Sequence, residues 1–128
     1  MWWIKDITVT KGTSRDNPVE TLVKLTPGTI ERMFVFFPPG CLGYVKVALY
    51  EGGHQFMPED VEGNVTGDDY VFFMVHNKEL KAPPAHITIR AWNTATTYDH
   101  TITVGIFVRE GLVTRVSQAV KSVFGMSE

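Results

Sequence analysis

A period of two in the apolar residues is the feature that most constrains how this chain can fold. In HTITVGIFV, residues 100–108, every second position from Ile102 to Val108 is isoleucine or valine. This pattern predicts a strand with one buried face, because successive side chains of a strand point to opposite faces. Six further segments are predicted to be strands: WWIKDITVT at 2–10, ETLVKLT at 20–26, TIERMFVFF at 29–37, GYVKVALY at 43–50, DYVFFMV at 69–75 and HITIRAW at 86–92.

One of these strands differs from the others in its pattern. DYVFFMV, residues 69–75, is apolar at both the even and the odd positions that follow its first residue. A continuous apolar run of this length is typical of a strand that is covered on both faces. We therefore expect something to pack on each side of this strand.

Glycine and proline separate the predicted strands, and no helical pattern lies between any neighbouring pair. The turn signals are Pro27-Gly28, Pro38-Pro39-Gly40, Gly52-Gly53, Gly63-Asn64, Gly67 and Pro83-Pro84. Short strands joined in this way predict an all-β fold, an antiparallel β-sandwich, for which a jelly-roll-like topology is preferred. The length of 128 residues allows one domain with a real core but not two. Residues 1–109 are assigned to this sandwich.

The period changes in the last part of the chain. From Glu110 the sequence reads EGLVTRVSQAVKSVFG, in which apolar residues recur at steps of three and four. This spacing predicts an amphipathic helix. Residues 110–128 are therefore predicted to form a C-terminal helix and tail, which either belong to the same single domain or dock on a neighbouring subunit. The apolar stripe consists of Leu112, Val113, Val116, Ala119, Val120, Val123 and Phe124.

Tryptophans are candidates for contacts outside the chain. Trp2 and Trp3 are neighbours in a predicted strand, so the strand can bury only one of the two rings against its own core. Trp and Tyr are enriched at protein interfaces, and their rings also pack on sugars. The alternative to an interface is therefore a carbohydrate-binding module or adhesin that uses Trp92, Tyr98 and loop residues such as His54 and Gln55. The residues predicted to form a protein interface are Trp2, Trp3, Trp92, Leu112, Val113, Val116, Val120, Val123 and Phe124.

YEGGHQFMPED, residues 50–60, is the one stretch that looks like a reactive site. The four histidines lie in separate elements and there is one cysteine, so the short ligand spacing of a transition-metal site is missing. Asp60, Glu62 and Asn64 alternate as calcium ligands do, but Val71 stands where a calcium loop needs a glutamate. No nucleophile lies in a recognisable catalytic context. We expect no catalytic residue, no metal and no cofactor, and we interpret this stretch as a solvated loop.

Charge and the N-terminal sequence exclude other classes of partner. The net charge is −2, from 12 basic and 14 acidic residues, so the basic field that nucleic-acid binding requires is missing. The start, MWWIKDITVT, lacks the apolar run of a signal peptide or membrane span. The sequence has a single cysteine, Cys41, which favours a reducing compartment. We expect Cys41 to be a small apolar residue that is buried. We expect no binding to nucleic acid or membrane.

Two segments resemble those of small β-rich proteins encoded in phage and prophage-like gene clusters. They are FPPGCLGYVKVALYEGGHQFMP at 37–58 and AWNTATTYDHTITVGI at 91–106, and the likeness extends over about residues 18–108. An all-β fold with a terminal docking element is similar to minor capsid or decoration subunits. The resembling motifs are a turn and strands, so no active-site residue is implied. The resemblance implies a non-enzymatic, homo-oligomeric virion protein that is assembled in the host cytoplasm.

Overall fold

The computed structural model describes residues 1–60, 62–80 and 85–110. Over these residues the chain forms nine strands and no helix. This part of the chain therefore contains no helix that is long and apolar enough to cross a membrane. The predicted all-β, sandwich-like fold is confirmed. The predicted C-terminal helix and tail, residues 110–128, lie outside the described residues except for Glu110, which ends a strand. The strands are β1 (Trp2–Val9), β2 (Val19–Leu25), β3 (Gly28–Phe37), β4 (Val45–Glu51), β5 (His54–Met57), β6 (Val65–Thr66), β7 (Tyr70–Leu80), β8 (Ala85–Asn93) and β9 (His100–Glu110).

The strands form two antiparallel sheets that pack face to face. The front sheet has the order β1-β9-β3-β7, and the back sheet has the order β2-β8-β4-β5, with β6 paired to β4. Along the chain, β1, β3, β7 and β9 belong to the front sheet, and the strands between them belong to the back sheet. The connections therefore cross repeatedly from one sheet to the other and join the two layers into a single sandwich.

The hydrophobic core lies between the two sheets and is built from every second residue of the strands. Cys41 is also buried in it, as the sequence predicted. Burial raises the pKa of the Cys41 thiol, and the nearby carboxylate of Asp68 raises the pKa further, so the thiol is held in its neutral form. The most deeply buried core residues include Ile30, Met33, Val35, Phe37, Ile102 and Ile106 from the front sheet, and Val23, Leu49, Met57, Ile87 and Ile89 from the back sheet.

Two strands were not predicted, and one of them corrects the interpretation of residues 50–60. This stretch is not a solvated loop: β4 and β5 form a hairpin, and Gln55, Phe56 and Met57 are buried. Gly52 adopts a left-handed backbone conformation (φ 55°), which lets the chain reverse within a few residues. The returning strand therefore pairs with β4, and its apolar residues enter the core instead of the solvent.

Candidate protein-docking face

The outward side chains of the front sheet form a surface that we call the front face. The strand register aligns these residues in three rows that cross the sheet from β1 to β7. In order along β1, β9, β3 and β7, the rows are Trp2, Phe107, Arg32 and Val75; Ile4, Gly105, Phe34 and Phe73; and Asp6, Thr103, Phe36 and Val71. Eight of these twelve positions carry a large apolar side chain.

The front face is open to solvent over much of its area. Val75 is 74% exposed and Phe73 is 55% exposed, and Trp2, Ile4 and Val71 are exposed as well. A single exposed apolar residue needs no explanation, because apolar atoms contribute more than half of any protein surface. A contiguous apolar patch across four strands does need one, since such patches mark surfaces that meet another molecule.

Aromatic rings form the centre of the front face. A Cβ atom placed on Gly105 would lie 2.1 Å from Cε1 of Phe34, so the phenyl ring rests directly on the backbone of β9. The ring of Trp2 lies 5.0 Å from that of Phe107 and 6.3 Å from that of Phe34, measured between centroids. Tilted contacts at these distances are favourable for aromatic pairs. The three rings therefore join β1, β9 and β3 into one apolar surface.

Polar groups border the front face at both ends of the strands. The Thr103 hydroxyl donates to Oδ1 of Asp6 at 2.6 Å, and the hydroxyls of Thr8 and Thr101 are 3.0 Å apart. At the opposite end, Arg109 forms an ion pair of 3.6 Å with Glu31. An apolar centre within a polar rim is the usual composition of a protein–protein interface.

Strand β7 shows how the front face departs from the sequence-based expectation. The run from residue 69 to 75 predicted cover on both faces. Phe72 and Met74 do pack against the core, but Val71, Phe73 and Val75 on the other side are exposed. Within the described residues, cover is therefore provided on one face of β7 only. The apolar character of its outer face is explained if that face meets something beyond these residues.

The structure places the predicted interface residues in different environments. Trp2 lies on the front face, while Trp3 points inward and packs against the core, so the predicted division of the two rings is confirmed. Trp92 was predicted to lie at an interface, whereas its side chain is only 4% exposed within the subunit, and the guanidinium of Arg15 lies 4.6 Å from the ring centroid. The segment that carries Lys11 and Arg15 runs along the end of β8 and covers this tryptophan. The structure therefore does not bring Trp92 to the front face.

The remaining predicted interface residues belong to the C-terminal segment. Leu112, Val113, Val116, Val120, Val123 and Phe124 lie outside the described residues.

Sequence reasoning missed most of the front face. Phe34, Phe36, Phe73 and Phe107 were not predicted as interface residues, nor was Gly105 beneath them. The sequence did contain an indication of this surface. In the strands that contain MFVFF and VFFMV, the residues that face away from the core are apolar as well as those that face it. What no local pattern shows is that β3 lies between β9 and β7, which brings these phenylalanines side by side.

The polar residues of the stretch 50–60 hold a loop together. The Nε2 atom of Gln55 lies 2.7 Å from the carbonyl oxygen of Pro58 and 2.9 Å from that of Asp60, and the Tyr50 hydroxyl donates to Oε1 of Gln55. Oδ1 of Asp60 accepts a hydrogen bond from the backbone N–H of Glu62. In the part of the chain that the structure describes, no cluster of His, Cys, Asp and Glu is suited to hold a metal ion. These contacts stabilise the loop.

A second surface feature is a concavity of about 570 Å³ at one end of the sandwich, which we call the end groove. Tyr98, which is 69% exposed, and Tyr44 present their rings there. These lining residues include hydroxyl groups and one histidine, but no carboxylate, lysine or arginine. The groove is lined by Gly40, Leu42, Tyr44, Thr94, Ala95, Thr96, Thr97, Tyr98 and His100.

Hydrogen bonds from outside the end groove hold both of its walls. The buried amide of Asn93 donates to the carbonyl oxygen of Tyr98 at 3.0 Å and accepts from the backbone N–H of Ala95. On the other wall, Oδ1 of Asp68 accepts from the backbone N–H groups of Gly40 and Leu42. These hydrogen bonds fix the backbone on both sides of the end groove.

Comparison with known proteins finds no relative of this chain, so a function must be assigned from the front face and the end groove. No family model, curated protein or solved structure matches the chain. The resemblance to phage and prophage-like proteins therefore stays a prediction.

Proposed function

We propose that this protein is a structural subunit of a larger assembly, a virion capsid-associated or decoration protein that acts through protein–protein contacts. The observation that carries this proposal is the front face, where three aligned rows of mostly apolar residues are open to solvent. Its apolar centre and polar rim fit a contact between subunits. In this proposal the protein has no catalytic role and needs no cofactor.

The strand order supports the capsid part of the proposal. Two sheets with the orders β1-β9-β3-β7 and β2-β8-β4-β5, joined by connections that cross between them, fit a jelly-roll topology. Jelly rolls form viral capsid domains as well as lectin domains. The resemblance of residues 37–58 and 91–106 to phage and prophage-like proteins favours the first of these uses.

The size of the apolar contribution favours an assembly with many contacts. Complete burial of a large apolar side chain stabilises a complex by about 1.5–3 kcal/mol. Trp2, Ile4, Phe73 and Val75 are already partly covered, so each would contribute roughly 1 kcal/mol when a partner closes over it. Association itself costs at least about 4 kcal/mol. One such contact alone is weak, and repetition among copies of the subunit is what makes it stable.

A charge on the front face tests this proposal. We expect Val75→Glu to reduce an oligomer to monomers, because a partner would have to bury an unpaired carboxylate. The fold should remain, since Val75 is exposed in the subunit. Mass by light scattering over a range of concentrations measures the assembly, and thermal melting measures the fold.

Leu22→Glu provides the matched control for this experiment. Leu22 is 57% exposed on the outer surface of the back sheet, so it receives the same charge in a similar setting away from the front face. This variant should keep the mass of the original protein. An original protein that stays monomeric at high concentration would contradict the proposal, and so would a Val75→Glu variant with unchanged mass.

The end groove supports a second candidate function, binding of a neutral carbohydrate. Exposed tyrosine rings next to threonine hydroxyls suit a ligand with flat apolar faces and hydroxyl edges. The residues differ from those expected from the sequence. Tyr98 lines the groove, but Trp92 and Gln55 are buried, and His54 lies on β5 away from it.

Tyrosine substitutions test the second candidate function. We expect the protein to bind at least one member of a panel of neutral oligosaccharides in calorimetry, and Tyr98→Ala to weaken that binding tenfold or more through loss of stacking. Tyr70→Ala is the matched control, because Tyr70 is 53% exposed on β7 and does not line the groove. Absence of binding across the panel, or equal effects of both variants, would exclude this function.

A further inference from the structure

We propose that two copies of this chain pair along β7, antiparallel to each other, so that their front sheets join into one continuous sheet. This inference goes beyond the proposed function, because the contact lies at the edge of the front sheet and does not depend on what covers the front face. Three observations support it: the unpaired edge of β7, the protection of the other sheet edges, and a row of side chains on β7 that matches a second copy of itself.

Strand β7 forms one edge of the front sheet and has an unpaired side. Within the described residues it pairs only with β3, so the backbone groups that point away from β3 have no partner strand there. Residues 70–75, which we call the edge segment, contain no charge, proline or glycine. Val71, Phe73 and Val75 are exposed on the outer side of this segment. An exposed apolar edge of this kind is a template for pairing with another chain.

The other sheet edges carry features that oppose pairing. At β1, Lys5 lies opposite the core residue Val104, so it places a charge on the inner side of that edge. At β2, Glu20 and Lys24 are exposed charges. The remaining edge consists of β5 and β6, which have four and two residues. Charges and short strands are the usual protection of a sheet edge, and the edge segment of β7 has neither kind of charge along it.

Both ends of the edge segment are defined by the backbone. Asp69, just before the strand, has a left-handed backbone conformation (φ 47°). At the other end, the step from Val75 to Lys78 on β7 lies opposite a shorter step on β3, so β7 has a β-bulge there. A bulge bends the strand and disrupts regular pairing. The regular part of the edge is therefore the edge segment itself.

The order of side chains in the edge segment selects a second copy of the same strand. When identical strands pair antiparallel about a two-fold axis, the residue on the axis lies opposite itself. An axis at Phe73 places Val71 of each copy opposite Val75 of the other. On the inner side it places Phe72 opposite Met74, and both of these pack against the core of their own subunit. Apolar cross-strand pairs and contacts between methionine and an aromatic ring are favourable.

Other positions of the axis lose this match. An axis one residue earlier would place Val75 opposite Asp69, and an axis one residue later would place Val71 opposite Asn77. Only the axis at Phe73 gives each of the three exposed apolar side chains an apolar partner. The row of the front face that contains Phe73 then continues across the axis into the same row of the second copy, so the two front faces form one surface.

A cysteine on the axis tests the contact and its register. In Phe73→Cys the two new thiols would lie opposite each other, with Cα atoms about 4.5–5.5 Å apart, which suits a disulfide. Oxidised glutathione should therefore convert most of the protein to a covalent dimer in non-reducing electrophoresis. Ile4→Cys is the matched control, because Ile4 lies in the same row on β1 and is 58% exposed, against 55% for Phe73. It should stay largely monomeric, and the native Cys41 is buried.

Charged pairs across the axis separate pairing along β7 from a contact of the front face. Val71→Glu with Val75→Glu places like charges opposite each other, whereas Val71→Glu with Val75→Lys places opposite charges there. Both double variants put two charges on the front face, so both lose a contact made by that face. In sedimentation velocity we expect the Glu/Lys variant to dimerise with a dissociation constant at least about tenfold below that of the Glu/Glu variant. Val75→Glu alone disturbs both contacts, because its carboxylate would also face an apolar side chain across the axis.

The failures of this inference and of the proposed function are distinguishable. An oligomeric original protein whose two double variants have equal masses would overturn pairing along β7 and leave the proposed function standing. Equal cross-linking of Phe73→Cys and Ile4→Cys would also overturn it. An original protein that stops at a dimer, with the same mass as its Glu/Lys variant, would support pairing along β7 and contradict a contact of the front face.

Two further outcomes are decisive. An original protein that is monomeric at high concentration would overturn this inference together with the proposed function. Thermal melting shows whether each variant is folded. The cysteine variants add no charge, so they decide the question if a double variant does not fold.

Discussion

Gly105 determines how the centre of the front face is built. Any side chain at this position would collide with the ring of Phe34, whose Cε1 lies 2.1 Å from the site of a Cβ atom. The glycine therefore allows an aromatic ring to lie on the strand, where it covers backbone that would otherwise meet water. The missing side chain at Gly105 therefore shapes the front face as well as the sheet.

Replacement of Gly105 tests whether the Phe34 ring excludes a side chain at this position. We expect Gly105→Ala to lower the free energy of unfolding by about 1 kcal/mol, because the Phe34 ring must move off the sheet. In a Phe34→Ala background the same change should be neutral or stabilising, since alanine restricts the unfolded chain more than glycine does. Urea unfolding of the four proteins gives the coupling energy. Equal effects of Gly105→Ala in both backgrounds would show that the ring contact is not responsible.

At the scale of the element, the hairpin of β4 and β5 shows how a stretch that resembles a reactive site serves the fold. His54 is exposed at the start of β5, whereas the next residue, Gln55, is buried and joins the Tyr50 hydroxyl to backbone carbonyls of the following loop. A buried amide with several partners fixes the path of that loop, because its hydrogen bonds join β5 to the backbone carbonyls of Pro58 and Asp60.

Two substitutions in this hairpin should therefore have different effects. Gln55→Leu should lower the free energy of unfolding by about 1–3 kcal/mol, because it leaves the Pro58 and Asp60 carbonyls and the Tyr50 hydroxyl without this partner. His54→Ala should change it by less than about 0.5 kcal/mol, as is usual for an exposed side chain. Chemical denaturation measures both. A larger loss for His54→Ala than for Gln55→Leu would assign the histidine a role that its exposure does not indicate.

At the scale of the whole molecule, the sandwich has two outer surfaces of different character. The outer surface of the back sheet carries charged pairs such as Arg90 with Glu20, whereas the front face carries rings and aliphatic side chains. A molecule with this asymmetry has one surface suited to water and one suited to a partner. The masses of the Val75→Glu and Leu22→Glu variants in solution measure this asymmetry, because only the charge on the front face should reduce the oligomer to monomers.

Local sequence patterns were sufficient to predict seven of the nine described strands, but not which strands are neighbours in a sheet. Alternation in residues 100–108 identified β9 and its buried face, because the period of two follows from the geometry of a single strand. The same reasoning assigned Trp2 and Trp3 to opposite faces. It failed for β5, because a strand of four residues is too short to show a period, and for Trp92, because a distant segment covers an outward ring.

Local patterns were enough to predict that this protein is built from strands, which face of most strands is apolar, and that β7 is apolar on both faces. No local pattern predicts that β3 lies between β9 and β7, which is what makes Phe107, Phe34 and Phe73 neighbours on one open surface. The physical reason is the range of the interactions. The direction of a side chain is set by the backbone of its own strand, whereas the order of strands in a sheet is set by hydrogen bonds between residues far apart in the chain.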